Sequence, residues 1–407
     1  MEKELWVIEP REHYLEMIRV SRDTPFIKVI TGLRRSGKST LMRSFRDELI
    51  SAGVPSEDIF SIDFDIDEAD RPSDHRELTD YVNSKLTPGP GKYLFFDEIQ
   101  NVEEWEVSIA SFYTSGADVY ITGSNSQMLS SELATKLSGR DIEIHMMPLT
   151  FGEYVSFRKG SGLSNDRLFQ DFLKQGSLPA VAKLQDTSAR VLIPQILTDV
   201  YNTVYAKDIE RRHNITDSAR MVNLVRYAMR NIGDRTSARK ASDFLQSKGV
   251  KVSHVTVENY LDYLSEAFLM YRAKRMSSKT KEYLSTSDKF FASDLGIRNM
   301  IVPFRPEDLD GLLENMVFNE LRFRFREVAV YDVDGSEIDF VADPLGRPSY
   351  YQVCISLADP KTLERELRPL KAVDDNNPKF IITYDRYLTD DIDGIKIVQI
   401  VDWLLGE

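Results

Sequence analysis

Cysteine is nearly missing from this chain: Cys354 is the only one among 407 residues. That excludes an intramolecular disulfide and a cysteine-rich zinc site, and it fits a reducing compartment. No apolar run approaches the length of about 20 residues that a membrane-spanning helix needs. The opening residues, Met1-Glu2-Lys3-Glu4-Leu5, are charged where a secretory leader would be apolar. The expectation is a soluble, cytoplasmic protein with no membrane partner. Basic residues are in deficit, 52 against 65 acidic ones, for a formal charge of −13. Such a surface argues against a chain coated with nucleic acid but leaves room for one basic patch. Repeats and low-complexity segments are missing too. Apolar residues make up 42% and charged residues 29%, ordinary globular proportions with material for two or three domains.

What is present is organised around Gly32-Leu33-Arg34-Arg35-Ser36-Gly37-Lys38-Ser39-Thr40, which fits the pattern G-x-x-x-x-G-K-[ST] of a phosphate-binding loop. Phe26–Ile30 reads as a buried strand before it and Leu41–Arg46 as the first turns of a helix after it. In that context backbone N–H groups at a helix N-terminus point at an anion and the helix dipole favours it. Lys38 would reach the β- and γ-phosphates and Ser39 would ligate Mg²⁺. Gly32, Arg34, Arg35, Ser36, Gly37, Lys38, Ser39 and Thr40 are thus the candidate ATP-binding residues. The amphipathic segment 10–20 puts Tyr14, Ile18 and Val20 forward as inward positions.

A second stretch, Tyr93-Leu94-Phe95-Phe96-Asp97-Glu98, is an apolar strand ending in two carboxylates, the Walker B form, 59 residues after Lys38. Asp97 would hold the metal shell with Ser39, and Glu98 would polarise the attacking water, since one group must stay ionised while the other accepts a proton. No Asn-Lys-x-Asp guanine signature is visible. The acidic run Asp65, Asp67, Glu68 and Asp70 reads as a solvated loop. Strand Asp118–Gly123 ends in Ser124 and Asn125, both candidates to read a γ-phosphate and position water, with a plain polar turn as the equal alternative. Arg140 is a candidate cation for the γ-phosphate, in cis or from a neighbouring subunit.

The loop at 32–41, Phe95-Phe96-Asp97-Glu98-Ile99-Gln100, the run 121–129, Leu137-Ser138-Gly139-Arg140 and Pro148-Leu149-Thr150-Phe151-Gly152-Glu153-Tyr154 occur in an order and spacing that resemble the AAA-type P-loop ATPases of archaea and bacteria. The resemblance covers most of the chain. It implies ATP and Mg²⁺ at Gly32, Gly37, Lys38, Ser39, Asp97 and Glu98, and a C-terminal region of the kind described only as a domain of unknown function. The expected fold class is α/β: a P-loop parallel sheet, then a helical and winged-helix region, then a small α/β nuclease-like domain. The expected boundaries are 1–150 for the ATPase, 151–215 for a helical lid, 216–300 for the winged helix and 301–407 for the last domain.

Residues 207–240 carry nine basic and four acidic side chains, against the trend of the chain. Three helical patterns and two strands follow, which resembles a winged helix, with Ser253, Thr256, Asn259 and Tyr260 facing outward. Arg272, Lys274, Arg275, Lys279 and Lys281 would give its wing positive charge for DNA phosphates. Packing or protein contact is the competing use. Farther on, Glu314, Asp339 and Gln352 resemble the acidic layout of PD-(D/E)xK nucleases, but Cys354 stands where the lysine belongs. A neutral thiol cannot supply that charge, so cleavage is expected to be weak or absent. The sequence therefore points to an ATP-hydrolysing switch coupled to a DNA- or protein-binding half. A gated scaffold with little turnover and an ATP-regulated nuclease are the alternatives. Candidate partners besides ATP are DNA, a protein and further copies of the chain.

Overall fold

The computed structural model describes residues 9–65, 71–126, 139–284, 287–386 and 389–406. The chain divides into two compact units, one of Met1–Pro148 with Glu266–Phe268 and one of Leu149–Ser265 with Leu269–Glu407.

In the first unit, helix α1 (Glu12–Ser21) precedes strand β1 (Ile27–Thr31), which is followed by α2 (Lys38–Ser51), β2 (Ile59–Asp63), α3 (His75–Lys85), β3 (Tyr93–Asp97), α4 (Trp105–Thr114), β4 (Asp118–Gly123) and β5 (Asp141–His145). The five strands make one sheet in the order β2-β3-β4-β1-β5, every pair parallel. β1, β3 and β4 are buried along their whole length, as expected of strands with helices on both faces. One face packs Ile27, Val29, Leu94, Phe96, Val119 and Ile121 against α3 and α4. On the other, α2 brings Phe45 against the rings of Phe95 and Tyr120, with centroids 6.3 and 5.3 Å apart. Lys28, in mid-strand and fully buried, is held by an ion pair with Asp118 of the neighbouring strand. In α1 Tyr14, Leu15 and Ile18 are buried, whereas Val20 is exposed. Two residues on from Ile18 is 200° around a helix, so the expected inward place for Val20 is corrected.

The second unit begins with α5 (Phe151–Phe157), α6 (Asn165–Gln175), α7 (Pro179–Leu184) and α8 (Ile193–Thr203), the last running on as a π-helical stretch over Val204–Arg211. Next come α9 (Ser218–Arg230), β6 (Arg235–Thr236), α10 (Ala238–Ser247), α11 (His254–Glu266), β7 (Met270–Ala273), β8 (Arg275–Ser277), β9 (Asp288–Ala292) and α12 (Leu295–Ile301). β6, β9 and β7 form a small antiparallel sheet. The chain ends with α13 (Leu309–Arg324), β10 (Val328–Val333), β11 (Ser336–Ala342), β12 (Ser349–Cys354), α14 (Pro360–Lys371), β13 (Lys379–Thr383), β14 (Asp391–Ile392), β15 (Ile395–Gln399) and α15 (Ile400–Leu405). A seven-stranded mixed sheet runs β14-β15-β13-β12-β11-β10-β8. Its last member is the three-residue β8, parallel to β10, although β7 and β9 on either side of it in the chain belong to the small sheet. The fold class is thus α/β, with a parallel five-stranded sheet followed by a helical region and further sheet. Among the described residues no helix is long and apolar enough to cross a membrane.

Candidate functional site

The loop 32–37 leaves the C-terminal end of β1 and turns into α2 at Lys38. Its shape needs its two glycines. A Cβ on Gly32 would lie 2.1 Å from the carbonyl oxygen of Met146, and Gly37 has φ +111°. The first turn of α2 has no side-chain cap, so its N–H groups are left for an anion, and the buried hydroxyl of Ser36 has no hydrogen-bond partner. Arg34 is buried, while Arg35, at φ +64°, points outward. The Lys38 ammonium donates to the carbonyls of Gly32 (2.9 Å) and Leu33 (3.2 Å), inside the loop it belongs to. These features fit a nucleotide's phosphates: a cradle that a Cβ would fill, orphan donors and a buried cation.

β4 lies between β1 and β3, and the C-terminal ends of all three open on this loop. Asp97 closes β3. Burial raises its carboxyl above the usual range, against hydrogen bonds from Ser39 and Thr122 that act the other way. Ser39 and Asp97 are therefore adjacent, as a shared metal shell requires. Glu98 has φ +52° and its backbone N–H donates to the hydroxyl of Thr122 at 2.9 Å. Its carboxylate accepts from Gln100 Nε2 (2.5 Å) and Ser124 Oγ (3.0 Å), and lies 3.5 Å from the Lys38 ammonium and 3.7 Å from Arg34 Nη2. Burial alone would raise Glu98, but Lys38 and Arg34 outweigh it and hold the carboxyl below its ordinary value. The structure thus brings together Gly32, Arg34, Ser36, Gly37, Lys38, Ser39, Asp97 and Glu98. Of the two polar candidates after β4, Ser124 touches Glu98; Asn125 is fully buried beside it in the chain.

Two expectations change here. Arg140 precedes β5, and the parallel register sets Ile27 opposite Asp141 and Thr31 opposite His145. The Arg140 carbonyl accepts from the N–H of Ile27, at the start of β1. Arg140 therefore sits at the edge of the sheet opposite the loop, about 13 Å away at 3.3 Å per residue, and lies over the ring of Tyr113. The in-cis role for Arg140 is corrected. Of the acidic run, Asp65 pairs with Arg34 (Nη1 to Oδ1, 3.2 Å), while Asp67, Glu68 and Asp70 lie outside the described residues. Two contributors had no sequence signal. Arg11 of the segment before α1 donates to the carbonyls of Ser36 (3.1 Å), Met147 (2.6 Å) and Pro148 (3.3 Å), tying the loop to the chain after β5. Gln100 is the other.

In the second unit, Arg272 and Arg275, the arginines expected on a wing, are already paired. Arg272 meets Glu258 (2.7 Å), Asp262 (2.8 Å) and Asp288 (2.5 Å), and Arg275 meets Asp332 at 2.7 Å. Those charges are spent within the fold, which corrects their assignment to phosphates. Lys274 stands over the ring of Tyr283. Ser253 and Asn259 are exposed. The acidic layout holds a surprise. Lys289 of β9 places its ammonium 2.8 Å from Glu314, 3.1 Å from Glu337 and 3.5 Å from Asp339, with its side chain 4% exposed. Asp339 also accepts from the Val353 N–H at 2.9 Å. Burial, with Asp339 nearby, pushes Glu314 up to about 8, and burial pushes Asp339 up to about 6. Burial likewise raises the Cys354 thiol, so it is neutral. The expectation that this cluster has no lysine is corrected: a cation is supplied from another strand. Among the described residues no group of three or more carboxylate, histidine or cysteine side chains has the geometry to hold a metal ion.

Residues 24–155 match the family model of an AAA domain, and residues 166–308 match a domain of unknown function, DUF8612. An uncharacterized protein of Haemophilus influenzae is 35% identical over 399 residues, 97% of this chain and 98% of the relative. An uncharacterized protein of Methanocaldococcus jannaschii is 29% identical, over 93% of this chain and 88% of its own. Among solved structures, a Walker-type ATPase of Pyrococcus abyssi superposes with a TM-score of 0.53 at 17% identity, over 72% of this chain and 96% of that one. At that identity the likeness is one of fold.

Proposed function

We propose, from the premise that this chain belongs to one family with its Haemophilus influenzae relative and carries an AAA domain over residues 24–155, that it binds ATP with Mg²⁺ and hydrolyses it as a switch acting on its C-terminal half. The observation that carries this reading is the convergence of Lys38, Ser39, Asp97 and Glu98 at the ends of β1 and β3. In it the loop N–H groups and Lys38 bind the phosphates, and Ser39 with Asp97 holds the metal. When bound, the ion supplies Lewis-acid charge to the phosphate oxygens. Glu98 accepts a proton from water, and Ser124 and Gln100 orient its carboxylate. Calorimetry with Mg·ATP and a phosphate-release assay test the reading. Lys38→Ala is expected to abolish turnover and to weaken ATP binding about tenfold or more, as loss of a charge-assisted hydrogen bond does. A wild type that binds no ATP refutes it.

For the C-terminal half, the order helix, strand, two helices and hairpin over α9–β9 supports a winged helix spanning about 216–300, followed by a nuclease-like domain at 301–407. Because Arg272 and Arg275 are ion-paired, DNA contact would rest on the exposed Ser253 and Asn259 and on Lys274. Lys274→Glu is expected to weaken DNA binding and lower its salt dependence by about one counter-ion. Binding that ignores this change points to a protein partner. Lys289 puts one ammonium among the three carboxylates, where a metal ion would otherwise sit, which supports binding without cleavage. Mg²⁺-dependent cutting of plasmid or single-stranded DNA that Asp339→Ala removes would instead establish a nuclease.

A further inference from the structure

Arg34 occupies a place that the phosphate-loop pattern leaves open. Only the glycines, the lysine and the hydroxyl residue are specified, yet here an arginine lies inward at 6% exposure while its neighbour Arg35 faces solvent. Its guanidinium bridges two carboxylates, Asp65 after β2 and Glu98 after β3. Glu98 is in turn gripped by two cations of the same loop, Arg34 and Lys38. A triphosphate in the loop would bring more negative charge than Glu98 holds, spread over oxygens that suit a planar guanidinium. Arg140, the other arginine put forward for this task, lies at the wrong edge of the sheet.

We propose that Arg34 is the in-cis cation for the third phosphate, paired with Glu98 until a triphosphate draws it across, so that a single side chain both reads the γ-phosphate and releases the carboxylate that polarises water. The proposal rests on the ATPase reading above and adds its regulation. A diphosphate leaves the Arg34–Glu98 pair in place; a triphosphate breaks it. The loop therefore discriminates between substrate and product without a residue from another subunit. Lys38 cannot do this alone, because it serves the β-phosphate as well. Arg34 acts on the water through Glu98, as a positioning residue, and on the phosphate directly.

The test measures the affinity of full-length wild type, Arg34→Ala and Arg34→Lys for Mg·ADP and for a non-hydrolysable Mg·ATP analogue, with thermal melting to verify that each variant is folded. Arg34→Ala is expected to lose about tenfold or more in affinity for the triphosphate analogue, the effect of one charge-assisted hydrogen bond, with ADP affinity within about twofold of wild type. Arg34→Lys is expected to keep part of the preference, since it retains the charge but not the fork. An equal loss for both nucleotides would make Arg34 a builder of the loop and overturn the proposal, as would no loss for either. If wild type binds neither nucleotide, the ATPase reading fails and takes this proposal with it. Normal ADP binding with unchanged triphosphate preference in Arg34→Ala sinks the role of Arg34 alone.

Discussion

Glu98→Gln is expected to lower ATP turnover about a hundred- to ten-thousand-fold, the range for removing a general base, and to leave ATP affinity equal or higher. The structure gives a reason for each half of that result. The substitution keeps the shape of the side chain, and the strained backbone at φ +52° stays tied through its N–H to Thr122. Thr122 is also bonded to Asp97, so the carboxylate proposed to hold the metal keeps its position. What is lost is the negative charge that Lys38 and Arg34 hold ionised. An amide at this place cannot take a proton from water. It also no longer competes with phosphate for the two cations, which is why affinity is not expected to fall. Phosphate release under saturating Mg·ATP gives kcat, and calorimetry gives the affinity. Turnover reduced less than tenfold would assign the base to another group.

Lys289→Met is expected to have its large effect on stability. Three carboxylates, on α13 and β11, surround one buried ammonium. Removing one partner of a buried charge cluster costs about 3–5 kcal/mol, because the others remain desolvated without a counter-ion. The cost depends on pH, and the sign follows from Glu314 and Asp339. Burial raises both, to about 8 and about 6, above their unfolded values. The stability they contribute is present below about pH 4, and is lost as pH rises through 6 and then 8. Lys289 is also raised, since its three carboxylates outweigh burial, so its charge persists across that window. The methionine variant is therefore expected to melt closer to wild type near pH 5, where Glu314 and Asp339 carry protons, and far below it near pH 8. Urea unfolding of the whole chain at the two pH values measures the difference. A gap that does not widen with pH would show that the ammonium is not what balances these carboxylates.

The legible part of this molecule was the part written in adjacent residues. Gly32 to Thr40 and Tyr93 to Glu98 each carry their meaning within one loop or one strand end, and the buried runs around them have the period of their elements. What could not be read came from pairings across long stretches of chain. Arg11 meets carbonyls 25 and 136 residues away. Lys289 joins acids 25 and 50 residues on, from a strand of a different sheet, whereas the strand of Gln352 and Cys354 itself offers only a thiol. Arg140 looked suitable because it follows the candidate polar residues in sequence; only the register of β5 against β1 reveals which edge of the sheet it occupies. Arg272 illustrates a different limit. Glu258 and Asp262 are spaced i, i+4 and so share a helix face, but nothing in that spacing says that Arg272 lies across from them.

The short strand β8 has a consequence for how such a chain can be cut and recombined. The N–H of Val330 is satisfied by the carbonyl of Lys274, and the N–H of Ser278 by the carbonyl of Asp332. A fragment starting at residue 301 would leave β10 as a bare edge, open to pairing with another molecule. The complementary fragment would carry a dangling β8 between two strands of its own sheet. The two halves are interleaved by one strand, so gene fusions that exchange the C-terminal sheet must carry the segment from about residue 270 with it.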